Sequence, residues 1–371
     1  MKMSLLISII LTLGFFCCSC ESSKSNKAEL DEAKKELESY TFTEHDNLRF
    51  ECAIPAINAD DIYILTMKSR FDSPDNDESR MQLRDLLNNA FGADVAFEDT
   101  ILMDSGGTVE CAYKEKSPGG TYFKASHTFE LWNYPDTYKF GRETDPKRSY
   151  RTYSVNEIPA DTFTMFDGSR MTASEAEEYA QSCLEKLRYV FNEDASWKLE
   201  GVCIEQIEGQ DNTIFLRYEH ILCGLPVSDE AYITDDTTRD TILCPQLQLQ
   251  YAGRDKLISV FNRYHCIIDK KEKLTEIIPL SEAEKLASRE LAPNLKYTVS
   301  EADLKYVCKT RQGEDVRIYR PMWSFTLKAY PPVESSRDLF PRLVCFVDAA
   351  DGTVYLSDGF KGELSEFLKE C

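Results

Sequence analysis

The chain has 371 residues, 42% hydrophobic, 29% charged and 11% aromatic, with 64 Asp and Glu against 43 Lys and Arg and a formal net charge of −21. This composition excludes a disordered tail and a multispanning membrane protein, and at roughly 150 residues per domain the length predicts two or three domains. A pI near 4.7 excludes a nucleic-acid partner, because phosphate binding needs clustered Lys and Arg that release counterions.

Met1-Lys2 supplies a short positive start, Ser4 to Phe16 is almost wholly apolar, and Cys17-Cys18-Ser19-Cys20 follows. The apolar run is shorter than the about 20 residues a spanning helix requires, so it reads as a secretory signal. A cysteine after a small residue at the end of such a run resembles the lipobox of bacterial lipoproteins. The resemblance implies that residues 1–20 are signal and lipobox, with Cys20 behind Ser19 as the lipidated thiol. Cys17 stands where that pattern usually has Leu. Plain signal cleavage near Ser19 is the alternative. Two or more acyl chains make a stable anchor where one is marginal. The implied location is extracytoplasmic, anchored to a bacterial membrane by lipid on Cys20.

Residues 21–41 form a polar tether, Glu21 to Asn26, and a charged helix from Ala28 to Tyr40 with too few apolar positions for a wide stripe. Residues 42–160 are expected to form an N-terminal α+β domain. Leu48 to Thr66 reads as extended structure interrupted by Pro55. Beyond the acidic loop Phe71 to Ser79, Met81, Leu83, Leu86, Leu87, Ala90 and Phe91 fall mostly on one face of a helix that Gly92 stops. Turns at Asp104 to Gly107 and Ser117 to Gly120 separate strands near Glu110 to Lys114 and Tyr122 to Trp132. Pro135, Pro146 and Pro159 punctuate the exit.

The second half contains an internal repeat. Ser174-Glu175-Ala176-Glu177 recurs as Ser281-Glu282-Ala283-Glu284, and in each copy Ser followed three residues later by Glu predicts a capping box. Ala176, Ala180, Cys183, Leu184 and Leu187 face inward in the first helix. Ala283, Leu286, Ala287 and Leu291 do so in the second, before Pro293. Hairpins follow each helix: Trp197 to Ile207 with Ile214 to Ile221, and Leu304 to Thr310 with Val316 to Tyr319. The second copy adds strands at Trp323 to Leu327 and Leu343 to Val347, and an Asp351-Gly352 turn. The expected fold class is therefore α+β: small antiparallel sheets each packed with one helix, repeated in tandem over 161–255 and 256–371, behind a separate N-terminal α+β domain.

The order of Ser-Glu-Ala helix, hairpin, Pro321-Met322-Trp323 strand and closing Phe346-Val347-Asp348-Ala349 with Gly352 and Val354 resembles the PepSY-type extracytoplasmic domain. The resemblance spans about 170–358, and the first copy lacks the closing Asp-Ala ending. Tandem modules of this type behind a lipobox look like uncharacterised bacterial lipoproteins. The resemblance implies a binding or regulatory element of the cell envelope, some such modules inhibiting peptidases or partnering sensor proteins. It implies no catalytic residues.

The sequence contains no H-E-x-x-H, G-x-S-x-G or Gly-rich phosphate loop. His45, His127, His220 and His265 are scattered singly, and Cys266 beside His265 points to the opposite face of a strand. Asp72, Asp75, Asp77 and Glu78 lack the central Gly and terminal Glu of a calcium hand, and Asp235, Asp236 and Asp240 read as a second solvated turn. Glu175 with Glu178, and Glu282 with Glu284, are first-turn acids that the helix dipole favours. Of 13 cysteines, Cys17, Cys18 and Cys20 go with signal and lipid, and the ten from Cys52 to Cys371 form no C-x-x-C. Buried thiols with one or two bridges are expected, and no metal or cofactor.

These readings predict a noncatalytic, membrane-anchored envelope lipoprotein that binds or regulates a protein or peptide partner. The alternatives are a solute- or polymer-binding lipoprotein, for which 19 Tyr and 20 Phe provide material, and an enzyme with an unrecognised site. The ligand-binding residues stay open.

Overall fold

The computed structural model describes residues 47–52, 57, 61–68, 76–91, 96–105, 108–114, 121–125, 128–133, 148–165, 167–187, 195–207, 210–229, 233–235, 240–243, 245–254, 256–263, 267–293, 295–311, 316–330 and 343–357. The chain forms two compact units. One comprises Met1–Ile64, Glu272–Lys305 and Arg320–Cys371, the other Leu65–Lys271 and Tyr306–Tyr319.

The second unit is built on a ten-stranded antiparallel sheet. Its order is Thr100–Ser105, Thr108–Lys114, Thr121–Ala125, Thr128–Asn133, Lys256–Arg263, Gln246–Gly253, Gln210–Leu222, Ala195–Ile207 and Arg148–Ser154, with the short Leu225–Pro226 paired to Gln210–Leu222. Alternation in the sequence decides which face goes inward. In Gln246–Gly253, Leu247, Leu249 and Tyr251 are buried on one face while Gln248 and Gln250 point to the other. The same face collects Val202, Ile204, Ile214, Leu216, Tyr218 and Val260 into one apolar cluster. Each such side chain contributes about 1.5–3 kcal/mol relative to exposure.

Two helices cover this cluster. Helix α1 (Asn76–Phe91) lies against Thr100–Ser105 and Thr108–Lys114, and helix α2 (Ala173–Leu187) lies against Gln210–Leu222. Ala176, Ala180, Cys183 and Leu184 are buried as their spacing requires, as is Leu83 of α1. Met81 is exposed instead, so the inward stripe of α1 is narrower than its apolar count suggests. Gly201 sits at a register shift where an added Cβ would lie 2.8 Å from the Tyr153 carbonyl oxygen, so only glycine allows this backbone approach.

In the first unit, helix α3 (Leu280–Glu290) packs on Leu343–Asp348 and Val354–Leu356, burying Ala283 and Ala287. Leu48–Phe50 pairs in parallel with 297–299, and Arg317–Tyr330 pairs with Leu343–Asp348 from Met322/Asp348 to Leu327/Leu343. The Trp323 indole N–H donates to the Ile278 carbonyl at 2.8 Å, tying the chain before α3 to the sheet. Asn47 and Ser288 exchange two bonds, Nδ2 to the Ser288 carbonyl at 2.9 Å and Ser288 Oγ to Asn47 Oδ1 at 2.6 Å.

This arrangement overturns the expected fold class of small antiparallel sheets, each packed with one helix, in tandem behind a separate N-terminal α+β domain. The protein is mostly β, with large multi-stranded sheets and three α-helices among the described residues. The hairpins of 100–133 do not make a sheet of their own. Thr128–Asn133 pairs with Lys256–Arg263, and Arg148–Ser154 pairs with Ala195–Ile207. The physical reason is edge closure: a small sheet leaves rows of unpaired backbone groups, which pairing with another strand satisfies. Nine laterally paired strands span about 40 Å at about 4.8 Å each. The 15 residues of α2 reach about 22 Å, so one helix cannot cover such a sheet.

Local expectations shift as well. The capping box of α2 uses Thr172 rather than Ser174: the Glu175 amide donates to Thr172 Oγ1 at 3.1 Å, and the Thr172 amide donates to Glu175 Oε2 at 2.8 Å. Helix α3 starts after Pro279 with no side-chain cap, and Glu284 is buried. Tyr122 to Trp132 is two strands, Thr121–Ala125 and Thr128–Asn133, whereas 317–327 belongs to one strand, Arg317–Tyr330, that runs through Pro321.

Candidate functional site

The face of the ten-stranded sheet opposite the helices carries a row of buried polar side chains. Glu205, Thr213, Gln250 and Ser259 come from four successive strands and share this face by register: Glu205 is opposite Thr213, and Gln250 is opposite Ser259. Ser259 Oγ donates to Gln250 Oε1 at 3.2 Å, Gln250 Nε2 to Thr213 Oγ1 at 3.1 Å, and Thr213 Oγ1 to Glu205 Oε2 at 2.9 Å. From the outermost strand the Tyr150 hydroxyl donates to Glu205 Oε1 at 3.2 Å. Every bond points toward the carboxylate, so a Glu that is only 1% exposed is held by charge-assisted donors on both oxygens.

This row leads to the edge of the sheet. Arg148–Ser154 is the last strand in the order, and its register with Ala195–Ile207 runs without a break from Gly201/Ser154 to Ile207/Arg148. Tyr150 is 57% exposed although its hydroxyl reaches Glu205, so the site has a buried polar interior and a wet aromatic rim. Beyond the strand, Val155 opens a short turn and is 44% exposed. Cys203 faces the same side. Its thiol is pushed above the usual range first by burial and further by Glu205, against a hydrogen bond with Thr152.

The other described thiols follow the same rule. Burial raises Cys52, with Glu301 adding to it, and pushes Cys183 up to about 12. Such thiols stay protonated and weakly nucleophilic at neutral pH. Cys52, Cys183, Cys203, Cys223, Cys308 and Cys345 are free of disulfides. Among the described residues no group of three His, Cys, Asp or Glu side chains is placed to hold a metal, and no helix is long and apolar enough to cross a membrane.

Cys20, the expected lipidation site, lies outside the described residues, as do His45, His127, His265, Cys266, Asp72, Asp75 and Asp236. His220 is a buried strand residue stacked on Trp197, ring centroids 4.0 Å apart at 14°. Asp77 and Glu78 occupy the first turn of α1. Glu175 caps α2, and its carboxyl is held low first by the Thr172 amide, with the Thr172 hydroxyl and Arg254 also contributing. The residues that carry the PepSY resemblance hold a turn: Asp348 is buried, pairs with Arg320 through two contacts, and accepts the Ala350 amide at 2.9 Å. Arg320 also reaches Asp351 at 2.7 Å. Sequence reading missed Tyr150, Arg151, Val155 and the polar row. The available signal was the aromatic and hydroxyl-rich run Arg148 to Ser154, and Gln alternating with Leu at 246–250.

No family model matches the chain, and no curated protein matches it. Among solved structures, one described as an uncharacterized protein from Eubacterium rectale is similar over 84% of this chain and 92% of that one, at 14% identity with a TM-score of 0.48.

Proposed function

We propose that this protein is a noncatalytic lipoprotein, held by lipid on Cys20 at the extracytoplasmic face of a bacterial membrane, that binds a protein or peptide partner of the cell envelope. The observation that carries the reading is the long sheet edge at Arg148–Ser154 with exposed Tyr150 beside it. A strand at the end of a sheet order, bearing an exposed aromatic side chain, is a place where a second chain can add. The apolar run before Cys20, the polar tether after it and the resemblance to PepSY-type modules support the envelope setting. The test is in-cell crosslinking of the lipidated protein with a Cys20→Ala control, together with incorporation of labelled fatty acid. The expected result is label on the wild-type chain alone and one membrane protein captured only when Cys20 is present. Absence of label on the wild-type chain overturns the anchor, and absence of any specific protein capture overturns the partner.

A further inference from the structure

We infer that Tyr218 and Asn262 form the polar end of a binding site on the helix-covered face of the ten-stranded sheet, and that the site takes a small uncharged amide. The inference stands apart from the partner reading above, since it needs neither the lipid on Cys20 nor the strand Arg148–Ser154. Tyr218, Leu247 and Asn262 make one row across three successive strands: Tyr218 is opposite Leu247, and Leu247 is opposite Asn262. The next row on this face, Leu216, Leu249 and Val260, is wholly apolar. Tyr218 and Asn262 are therefore polar positions set into the apolar cluster that the helices cover, at 3% and 0% exposure.

The fold does not satisfy them. The Tyr218 hydroxyl and both amide atoms of Asn262, Nδ2 and Oδ1, have no hydrogen-bond partner among the described residues. Leu247 stands between them, and two strand steps of about 4.8 Å set their backbones about 10 Å apart. On the opposite face the chain pairs its buried polar groups: Ser259, Gln250, Thr213 and Glu205 are bonded end to end. Two orphaned groups in one row of an apolar face are the arrangement of a small-molecule site, an apolar wall with a few polar groups that fix the ligand's orientation.

Their chemistry selects the ligand. Asn262 offers a donor and an acceptor side by side, and the full complement is another carboxamide, which returns an acceptor and a donor at the same spacing. An anion would leave Oδ1 unpaired and would meet Glu177 of α2, whose charge already acts on the Tyr218 hydroxyl. A cation would leave Nδ2 unpaired. Burial first, then Glu177 and Cys183, push Tyr218 well above the usual tyrosine range, so it stays a neutral phenol able to donate or accept. Leu247, Leu249 and Val260, all buried, give a short hydrocarbon body an apolar floor.

The test uses the full chain and isobutyramide, read by saturation-transfer NMR on the ligand and by hydrogen exchange. The matched controls are methyl isopropyl ketone, which keeps the shape and the acceptor but lacks the donor, and isobutyrate, which keeps the shape and carries a charge. Isobutyramide is expected to bind saturably, to slow exchange in peptides covering 210–222 and 256–263, and to bind roughly tenfold or more tightly than either control. Asn262→Val should weaken its binding by roughly tenfold or more, and Tyr218→Phe, which removes a single oxygen, by a smaller factor. No saturable binding of the amide overturns the inference in favour of bound water. Equal binding of the ketone reduces the site to an apolar cavity, and equal binding of isobutyrate removes the uncharged class; either overturns it. Binding undiminished in either variant, or protection confined to other strands, places the ligand elsewhere and overturns it as well.

Discussion

Replacing Thr213 with Val tests whether the buried polar row acts as one connected chain. Val keeps the branched shape and removes a hydroxyl that donates to Glu205 Oε2 at 2.9 Å and accepts from Gln250 Nε2 at 3.1 Å. One partner is withdrawn from a buried carboxylate and one from a buried amide. A hydrogen bond to a charged group contributes about 1.5–3 kcal/mol and a neutral one about 0.5–1.5 kcal/mol, so the expected loss is about 2–4.5 kcal/mol. Ser259→Ala, at the far end, withdraws a single neutral bond to Gln250 Oε1 and should cost about 0.5–1.5 kcal/mol. The assay is urea unfolding followed by hydrogen exchange in peptides covering 195–207, 210–222 and 246–253, so that the second unit is read by itself. The midpoint should fall with an unchanged slope. Equal losses at Thr213 and Ser259, or a Thr213→Val loss below about 1 kcal/mol, would refute a chain that converges on Glu205.

Three further outcomes follow from the same structure. Arg320→Ala strips Asp348, a fully buried carboxylate, of its cation, and thermal unfolding of the first unit should register a loss of about 3–5 kcal/mol; a shift within the error of the melt would mean that the turn amides alone carry the charge. Asn262 is buried with neither side-chain amide atom partnered among the described residues, opposite Leu247, so Asn262→Val should stabilise the second unit by about 1–2 kcal/mol in the same urea assay, and a destabilised variant would contradict this. The Cys183 thiol is pushed by burial from 9.0 up to about 12, so the folded state keeps a proton that the unfolded chain releases above 9.0. Stability contributed by Cys183 is therefore complete below pH 9.0 and falls between pH 9 and 12, at a slope of about 1.4 kcal/mol per pH unit. Tyr218, also raised first by burial, adds to the alkaline loss. Cys183→Ala should flatten the decline, and an unchanged pH profile would remove the thiol from the account.

Helix positions were legible because their signal is local. Alanine and leucine at i and i+4 spacing mark α2 and α3, which start 107 residues apart (280 − 173 = 107), and Pro293 lies just beyond the second. The pairing of Thr100–Ser105 with Thr108–Lys114 was legible for the same reason, since adjacent strands meet through a few residues. Caps were harder. Thr172 and Ser174 are equally good cap residues by type, and only the path of the chain entering α2 places Thr172 where it receives the Glu175 amide.

Alternation in the strands announces that one face is buried, but it does not say which strand lies beside which. Thr128–Asn133 pairs with Lys256–Arg263 across more than a hundred intervening residues, and Leu48–Phe50 pairs with 297–299. The sequence by itself determined the acidic balance, the apolar run before Cys20, the helices and the local hairpins. Only the tertiary structure decided that strands of the expected N-terminal domain and first module join in one ten-stranded sheet, that Tyr150 reaches Glu205, and that Arg148–Ser154 is the last strand of its described order. A strand's place belongs to the assembled order of strands rather than to any segment. Backbone pairing uses the same N–H and C=O groups at every residue, so side-chain pattern alone cannot specify the neighbour.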